Sequence, residues 1–501
     1  MQQPPVSATE FVAALPDPKE SDNVEYNPSF EQLREYSQHM ETTTEFGSPS
    51  YVSHERSRNT EKTKNIVDHE FDHTDYELVG DVLSALENRE LVCLDRRMGR
   101  HADNSYVCRY YVPTEYSRIA LGWAKLFEPA DADREPDFHT VQLPDWDEVA
   151  VRVFPDAGFT AVLGSDYTGE AKKSFLRLFM YYAKRQGGLG LHAGSKRVEL
   201  ETDDGLETVG QLFLGLSGTG KSTVTAHGLW LDEPEDARML QDDVCALLPD
   251  GTVAGSEGQG LFVKTHGLDS ETEPAMYDAV TADSAVLENV DVAADGTVDF
   301  DSDRYTANGR AIIQREELSS ASEEIDLPEV DQIFFITRNP AMPPVAKLTP
   351  EEAAVAFMLG ESVQTSAGDP NSAGESTRVV GTNPFIIGSE GGEGNRFRDL
   401  INNLDVDCFV LNTGRVGQVD IGVEETVTLL RSIARGSVDW ERDGTTGLTV
   451  PTAVPGMDRD EFDVAKALPD AESTLDELRN ERERYLAQFD DLDSAIKNAR
   501  Y

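Results

Sequence analysis

Basic residues, cysteine and long apolar runs are all scarce in this 501-residue sequence. Lysine and arginine together number 44 against 93 acidic residues, a formal charge of -49. So few cations exclude a protein that grips a nucleic-acid backbone or an anionic leaflet, because both require a positive surface. Lysine is the scarcer base, 13 against 31 arginines. Yet 39% of residues are hydrophobic and 8% aromatic, spread along the whole length, which excludes wholesale disorder. An acid-coated, lysine-poor chain with a core suits a very salty cytoplasm, where salt screens the self-repulsion. The four cysteines (Cys93, Cys108, Cys245, Cys408) form no CxxC pair, so neither a zinc knuckle nor a disulfide framework is indicated. Reduced thiols and a cytoplasmic location are expected. No apolar run reaches about eighteen residues, and MQQPPVSATEFVAALPDPKES lacks a basic stretch followed by an apolar one, so no membrane segment or signal peptide is expected.

The length allows roughly two to four domains. Residues 1–75, polar and weakly periodic, read as a mobile acidic arm with a short helix near Phe30–Tyr36. Residues 76–188 read as an N-terminal domain and 189–501 as a C-terminal one. ELVGDVLSALENRELVCL predicts a helix running into a strand. GFTAVLGSDYTGEAKKSFLRLFMYYAKRQGG predicts a strand, a turn and an amphipathic helix ending at Gly187–Gly188. DQIFFITRN and DVDCFVLNTG predict buried strands, and residues 471–501 a charged surface helix. Mixed strands and helices imply an α/β protein.

The chemistry concentrates in VGQLFLGLSGTGKSTVTAHGL. An apolar strand leads into Gly215-Leu216-Ser217-Gly218-Thr219-Gly220-Lys221-Ser222-Thr223 and then a helix, the G-x-x-x-x-G-K-[ST] pattern in its required setting. Successive backbone N–H groups cradle phosphate there, Lys221 reaches the outer phosphates, and the Ser222 hydroxyl can ligate Mg²⁺. About twenty residues further on, Asp242–Asp243 close an apolar strand, placed for one carboxylate to hold a metal and the other to orient water. Six of the 13 lysines fall between Lys172 and Lys264, a clustering against the compositional trend that points to anionic ligands or a metal. His192, after the apolar run LGL, gains weight from that company.

With these residues assembled, the chain resembles ATP-dependent phosphoenolpyruvate carboxykinase from about Leu91 to Asp458. The likeness rests on YTGEAKKS, GLSGTGKST, QDDV, EGQGLFVKTHGLDSETEPAMY, TANGR, MPPVAKLT, LNTGRVG and VPTAVPGMD, in the family's order. It implies a two-domain α/β fold with a P-loop mononucleotide-binding domain, a second domain carrying the substrate arginine, and an active site in the interdomain cleft. The implied reaction is oxaloacetate plus ATP giving phosphoenolpyruvate, ADP and CO₂, in gluconeogenesis. Carried over, Lys173, His192 and Asp243 hold Mn²⁺, and Ser222 with the loop holds Mg²⁺–ATP. Arg100 and Arg310 hold the oxaloacetate carboxylates, Tyr167 and Ser217 lie beside the reacting group, and Lys221 and Lys264 stabilise the transferring phosphoryl. Asp242 belongs to the same catalytic group. A lysine ligates a metal only when neutral, which the adjacent Lys172 and the metal itself favour. Residues 364–383 fall where the family has an active-site lid.

The sequence departs from the family at several points. Ser-Pro-Lys-Asp after the substrate arginine is His101-Ala-Asp-Asn104, Cys-Ser-Ala-Asn after the histidine is Ala193-Gly-Ser-Lys196, and an arginine expected after Thr426 is Val427. Two alternatives stand beside the lyase: a kinase of the same fold acting on another small-molecule or protein hydroxyl, and a nucleotide-binding regulator without turnover.

Overall fold

The computed structural model describes residues 8–57, 59–203, 205–363, 376–499 and 501. The chain forms two compact units, Met1–Tyr182 with Ser256–Ser319, and Ala183–Gly255 with Ser320–Tyr501. Most of the segment expected to form a lid, residues 364–375, lies outside the described residues. Among the described residues no helix is long and apolar enough to cross a membrane.

The first unit holds two mixed sheets. The larger runs Val24–Tyr26, Leu91–Met98, Tyr106–Pro113, Phe138–Leu143, Phe159–Leu163, Ala150–Phe154, Thr63–Asn65. The smaller runs Gly260–Lys264, Arg310–Gln314, Val286–Glu288, Pro49–Tyr51, Thr42–Thr43. The segment 1–75 was expected to stand apart as an arm; instead its described part supplies strands to both sheets, pairing with Leu91–Cys93, Val151–Val153 and Leu287–Glu288. These strands are three residues long and polar, so they carry no periodic signal. Backbone pairing and a few buried anchors, Phe11, Leu33 and Tyr51, hold them. The predicted helix at Phe30–Tyr36 is present, with Ser29 and Gln32 forming a capping box.

A second difference concerns residues 256–319. The sequence reading put them with the phosphate loop, whereas their strands complete the smaller sheet of the first unit. Lys264 and Arg310 therefore belong to the same unit as Arg100, Tyr167 and Lys173.

The second unit is built on an eight-stranded sheet ordered Asp236–Gln241, Ala193–Thr202, Gly205–Leu214, Gln332–Thr337, Asp407–Asn412, Val345–Leu348, Thr449–Pro451, Trp440–Arg442. Three central strands are parallel: Gly205–Leu214, Gln332–Thr337 and Asp407–Asn412. Where they pair, from Gln211 to Leu214 on the first of them, they are buried on both faces and read as continuous apolar runs rather than alternation. Phe213, Phe334 and Phe409 stack across these strands at 5.2 and 5.1 Å between ring centroids, and Trp440 continues the row. Helix Pro350–Leu359 buries nearly its whole circumference on one face of the sheet. It starts at a Thr349/Glu352 capping box and stops at Gly360, whose φ is +43°. The C-terminal region is not a plain surface helix. Helices Ala471–Leu486 and Ser494–Asn498 and the turn between them send Leu486, Ile496 and Leu492 into the same core as Phe357 and Phe397, and Arg482 is buried.

Candidate active site

In the second unit the phosphate loop leaves the end of the central strand Gly205–Leu214 and opens helix Lys221–Ala226. Gly218 and Gly220 have φ of +81° and +89°, values a side chain strongly disfavours, so these two glycines let the backbone curl. Thr219 ties the loop inward: its hydroxyl donates to the Leu216 carbonyl at 2.7 Å, and its own carbonyl accepts from Thr413 Oγ1 at 2.7 Å. Arg338 donates to the Gly218 carbonyl at 3.2 Å. Ser217, Gly218, Ser222 and Thr223 remain exposed, a rigid backbone with an open rim.

Beside the loop, His192 Nε2 lies 2.9 Å from Asp243 Oδ1, and Lys221 Nζ is 3.9 Å from the same oxygen. His192 Nδ1 lies 2.6 Å from the Thr382 carbonyl. Burial, then the Lys221 ammonium, push the His192 pKa below its ordinary value and favour the neutral ring, although Asp243 and the Thr382 carbonyl pull the other way. A neutral imidazole has one proton for two acceptors. With Nδ1–H on the carbonyl, the Nε2 lone pair faces a carboxylate oxygen, an arrangement that a divalent cation between nitrogen and oxygen resolves. Asp242 Oδ1 next door is buried without a hydrogen-bond partner among the described residues. His192 and Asp243 thus offer two donors suited to a divalent metal, while among the described residues no group of three or more His, Cys, Asp or Glu side chains gathers to hold one.

In the first unit a cation cluster surrounds Phe262. Lys264 and Arg310 are register partners on adjacent antiparallel strands. Arg310 packs over the Phe262 ring at 5.4 Å and Lys172 at 5.2 Å, while the Tyr167 ring is 6.1 Å away. Arg310 donates to Asn308 Oδ1 at 2.8 Å, and the Asn308 amide reaches Tyr167 Oη at 3.5 Å. Burial, then the Arg310 charge, lower the Lys264 pKa. Lys172 pairs with Glu257 at 3.1 Å, both buried. Lys173 follows on helix Thr168–Arg185, whose start is held by Glu288 accepting from Thr168 N and Oγ1.

Arg100 is anchored apart from that cluster. Its Nε and Nη2 donate to Glu128 Oε1 at 3.0 and 2.8 Å, and Nη2 also reaches the Gly258 carbonyl. Arg97 grips the other oxygen of Glu128. Thus His192, Asp243 and Lys221 come together in one unit, and Tyr167, Lys264 and Arg310 in the other, where Arg100 keeps its own acidic partner. Reasoning on the sequence missed Asn308, Phe262, Glu128 and the Thr382 carbonyl. Asn308 and Phe262 sit inside quoted motifs, so their position was a signal; one glutamate among so many acids gives none.

The profile of the phosphoenolpyruvate carboxykinase family matches residues 22–460. Phosphoenolpyruvate carboxykinase (ATP) of Aeropyrum pernix is 35% identical over 476 residues, covering 93% of this chain and 94% of that protein. The protein of the same name from Rhodopseudomonas palustris (strain CGA009) is 30% identical over 426 residues, 78% of this chain and 75% of its own. The chain belongs to the phosphoenolpyruvate carboxykinase family, in its ATP-dependent branch. Members of that family depend in general on a divalent metal.

Proposed function

We propose that the two groups of residues serve one reaction, the ATP-dependent decarboxylation and phosphorylation of oxaloacetate in gluconeogenesis. Loss of CO₂ breaks the C–C bond and leaves its electron pair on the pyruvate enolate. The enolate oxygen then bonds to the γ-phosphorus as the bond to ADP breaks, giving phosphoenolpyruvate. Both stages develop negative charge on oxygen, so fixed cations and exclusion of water do most of the work.

The backbone of Gly215–Thr223 cradles the ATP phosphates, with Lys221 on the outer ones and Ser217 beside the transferring group. Arg310, held in orientation by Asn308 and Phe262, takes a substrate carboxylate. Arg100, held in place by Glu128, takes another. Lys264 faces the transferring phosphoryl, and its lowered pKa follows from burial first and then from the neighbouring Arg310 cation. Tyr167 lies beside the reacting group, and Asp242 orients water or a metal ligand. Lys173, His192 and Asp243 would hold Mn²⁺, and Ser222 the Mg²⁺ that accompanies ATP. Bound there, such ions would supply positive charge that offsets the negative charge developing on oxygen. We further read the setting as a salty cytoplasm, and the dense acidic surface as its adaptation.

The observation that supports this most is the single Asp243 oxygen placed 2.9 Å from His192 and 3.9 Å from the phosphate-loop lysine, since a simple kinase has no use for that imidazole. The test is phosphoenolpyruvate formation by purified protein in molar KCl with ATP, Mn²⁺ and oxaloacetate. ADP release with a hydroxyl acceptor and none with oxaloacetate, or ATP binding without turnover, overturns it.

A further inference from the structure

Lys196 is a fully buried lysine in a chain that has given up most of its lysines. It lies on strand Ala193–Thr202, which pairs on one side with the strand leading into the phosphate loop and on the other with the strand leading to Asp242–Asp243. Its Nζ donates to the Val224 carbonyl at 2.5 Å and to the His227 carbonyl at 2.7 Å, and it lies over the Phe213 ring at 5.5 Å. Both acceptors sit at the C-terminal end of helix Lys221–Ala226, where a helix leaves carbonyls it cannot satisfy itself. Burying an amine is unfavourable unless its hydrogen bonds are met, and here they are met by main chain.

Strand and helix touch directly at this level. Two residues before Lys196, a Cβ on Gly194 would come within 2.3 Å of Thr225 Oγ1. That hydroxyl in turn donates to the Lys221 carbonyl at 2.7 Å. A six-residue helix is only about 9 Å long, so fixing its far end fixes the near end that carries Lys221 and Ser222. Burial brings the Lys196 pKa down to about 7. The neutral amine still has two N–H groups for two carbonyls, so the clamp survives loss of the charge.

We propose that Lys196 is a positioning residue for ATP: by pinning the Val224 and His227 carbonyls it sets the helix so that Lys221 and Ser222 meet the triphosphate. This rests on reading Gly215–Thr223 as the ATP cradle. The test is Lys196→Met in the full-length protein, with MgATP binding by calorimetry and KM measured separately for ATP and oxaloacetate. MgATP Kd and KM for ATP should rise on the order of tenfold, with KM for oxaloacetate unmoved, and Lys196→Gln should recover part of the loss. Wild-type MgATP binding by the Met variant, or parallel losses for both substrates with a lowered melting temperature, overturns the proposal. If the Met variant does not fold, the Gln variant is held to the same criterion: ATP alone affected supports it, neither or both affected overturns it. Lys221→Ala separates the two readings. Unchanged MgATP binding in that variant sinks the cradle itself, whereas loss there with normal binding in Lys196→Met sinks only the role of Lys196.

Discussion

On the proposed reading, the two units would hold anions by opposite means. Around the phosphate loop the donors are backbone N–H groups on an open rim, clamped from beneath by Thr413, Thr219 and Lys196. Around Phe262 the donors are long cationic side chains, Arg310 half-buried and Lys172 buried against the aromatic ring, with Asn308 and Glu257 as their polar partners. A polyphosphate shared by all nucleotide enzymes can be met by main chain, which has no rotamer freedom to lose. A small dicarboxylate needs forks at set angles, which only arginine supplies, and each fork must then be immobilised by neighbours. Backbone sites therefore tolerate sequence drift around them, and side-chain sites do not.

Single substitutions sharpen this contrast, beginning with the most severe. Lys221→Ala should lower kcat on the order of a thousandfold, since it removes a charge that faces the transferring phosphoryl; a fall of less than tenfold in phosphoenolpyruvate formation would put Lys221 outside the chemistry. Arg310→Lys keeps the charge and loses the fork, and should cost about a hundredfold in kcat/KM for oxaloacetate while leaving MgATP affinity as it was. His192→Ala should raise the Mn²⁺ concentration for half activation by roughly 10–100-fold; an unchanged Mn²⁺ titration refutes the metal assignment. Asn308→Ala touches only the neighbour of the fork, and an increase of several-fold in KM for oxaloacetate is expected from steady-state kinetics, on the order of 1 kcal/mol for one hydrogen bond.

Stability, in contrast to activity, has its own anchor. Glu361 is buried; burial alone would raise its pKa, but Arg482, Arg378 and Asn339 outweigh that and hold it at about 2. A folded-state pKa below the unfolded value of 4.5 contributes stability that is full above pH about 4.5 and is lost as pH falls towards 2. Glu361→Gln leaves the buried Arg482 guanidinium without its carboxylate and the half-buried Arg378 with Glu481 alone, so at pH 7 it should lower unfolding free energy by about 3 kcal/mol. Urea melts of both proteins should converge as the pH is taken down through that window. A gap that stays constant with pH would assign the loss to packing.

Much of this was legible in the sequence, for identifiable reasons. The phosphate loop, Asp242–Asp243 and the central parallel strands announce themselves because glycine torsions, paired carboxylates and unbroken apolar runs are local signals. Arg310 was found only through an ordered series of motifs, and Lys264 through that series and the clustering of lysines. What stayed hidden depends on distant pairing. Three-residue strands such as Val24–Tyr26 and Pro49–Tyr51 have no periodicity of their own, and nothing local reveals that 256–319 return to the first unit. Glu128 was invisible among 93 acids, though it sets the angle of Arg100. Lys196 stood in view as a departure from its family, but its meaning needed the carbonyls it touches.

The first unit is interrupted by 73 residues of the second, from Ala183 to Gly255, and this has a consequence for biosynthesis. As the nascent chain leaves the ribosome, strand Pro49–Tyr51 waits for Val286–Glu288 to emerge, with the phosphate loop already outside in between. No single cut between residues 183 and 255 leaves either unit whole in one fragment. Either fragment would expose unpaired strand edges, so protease resistance during translation should come late, once residue 319 and the strands beyond it are out.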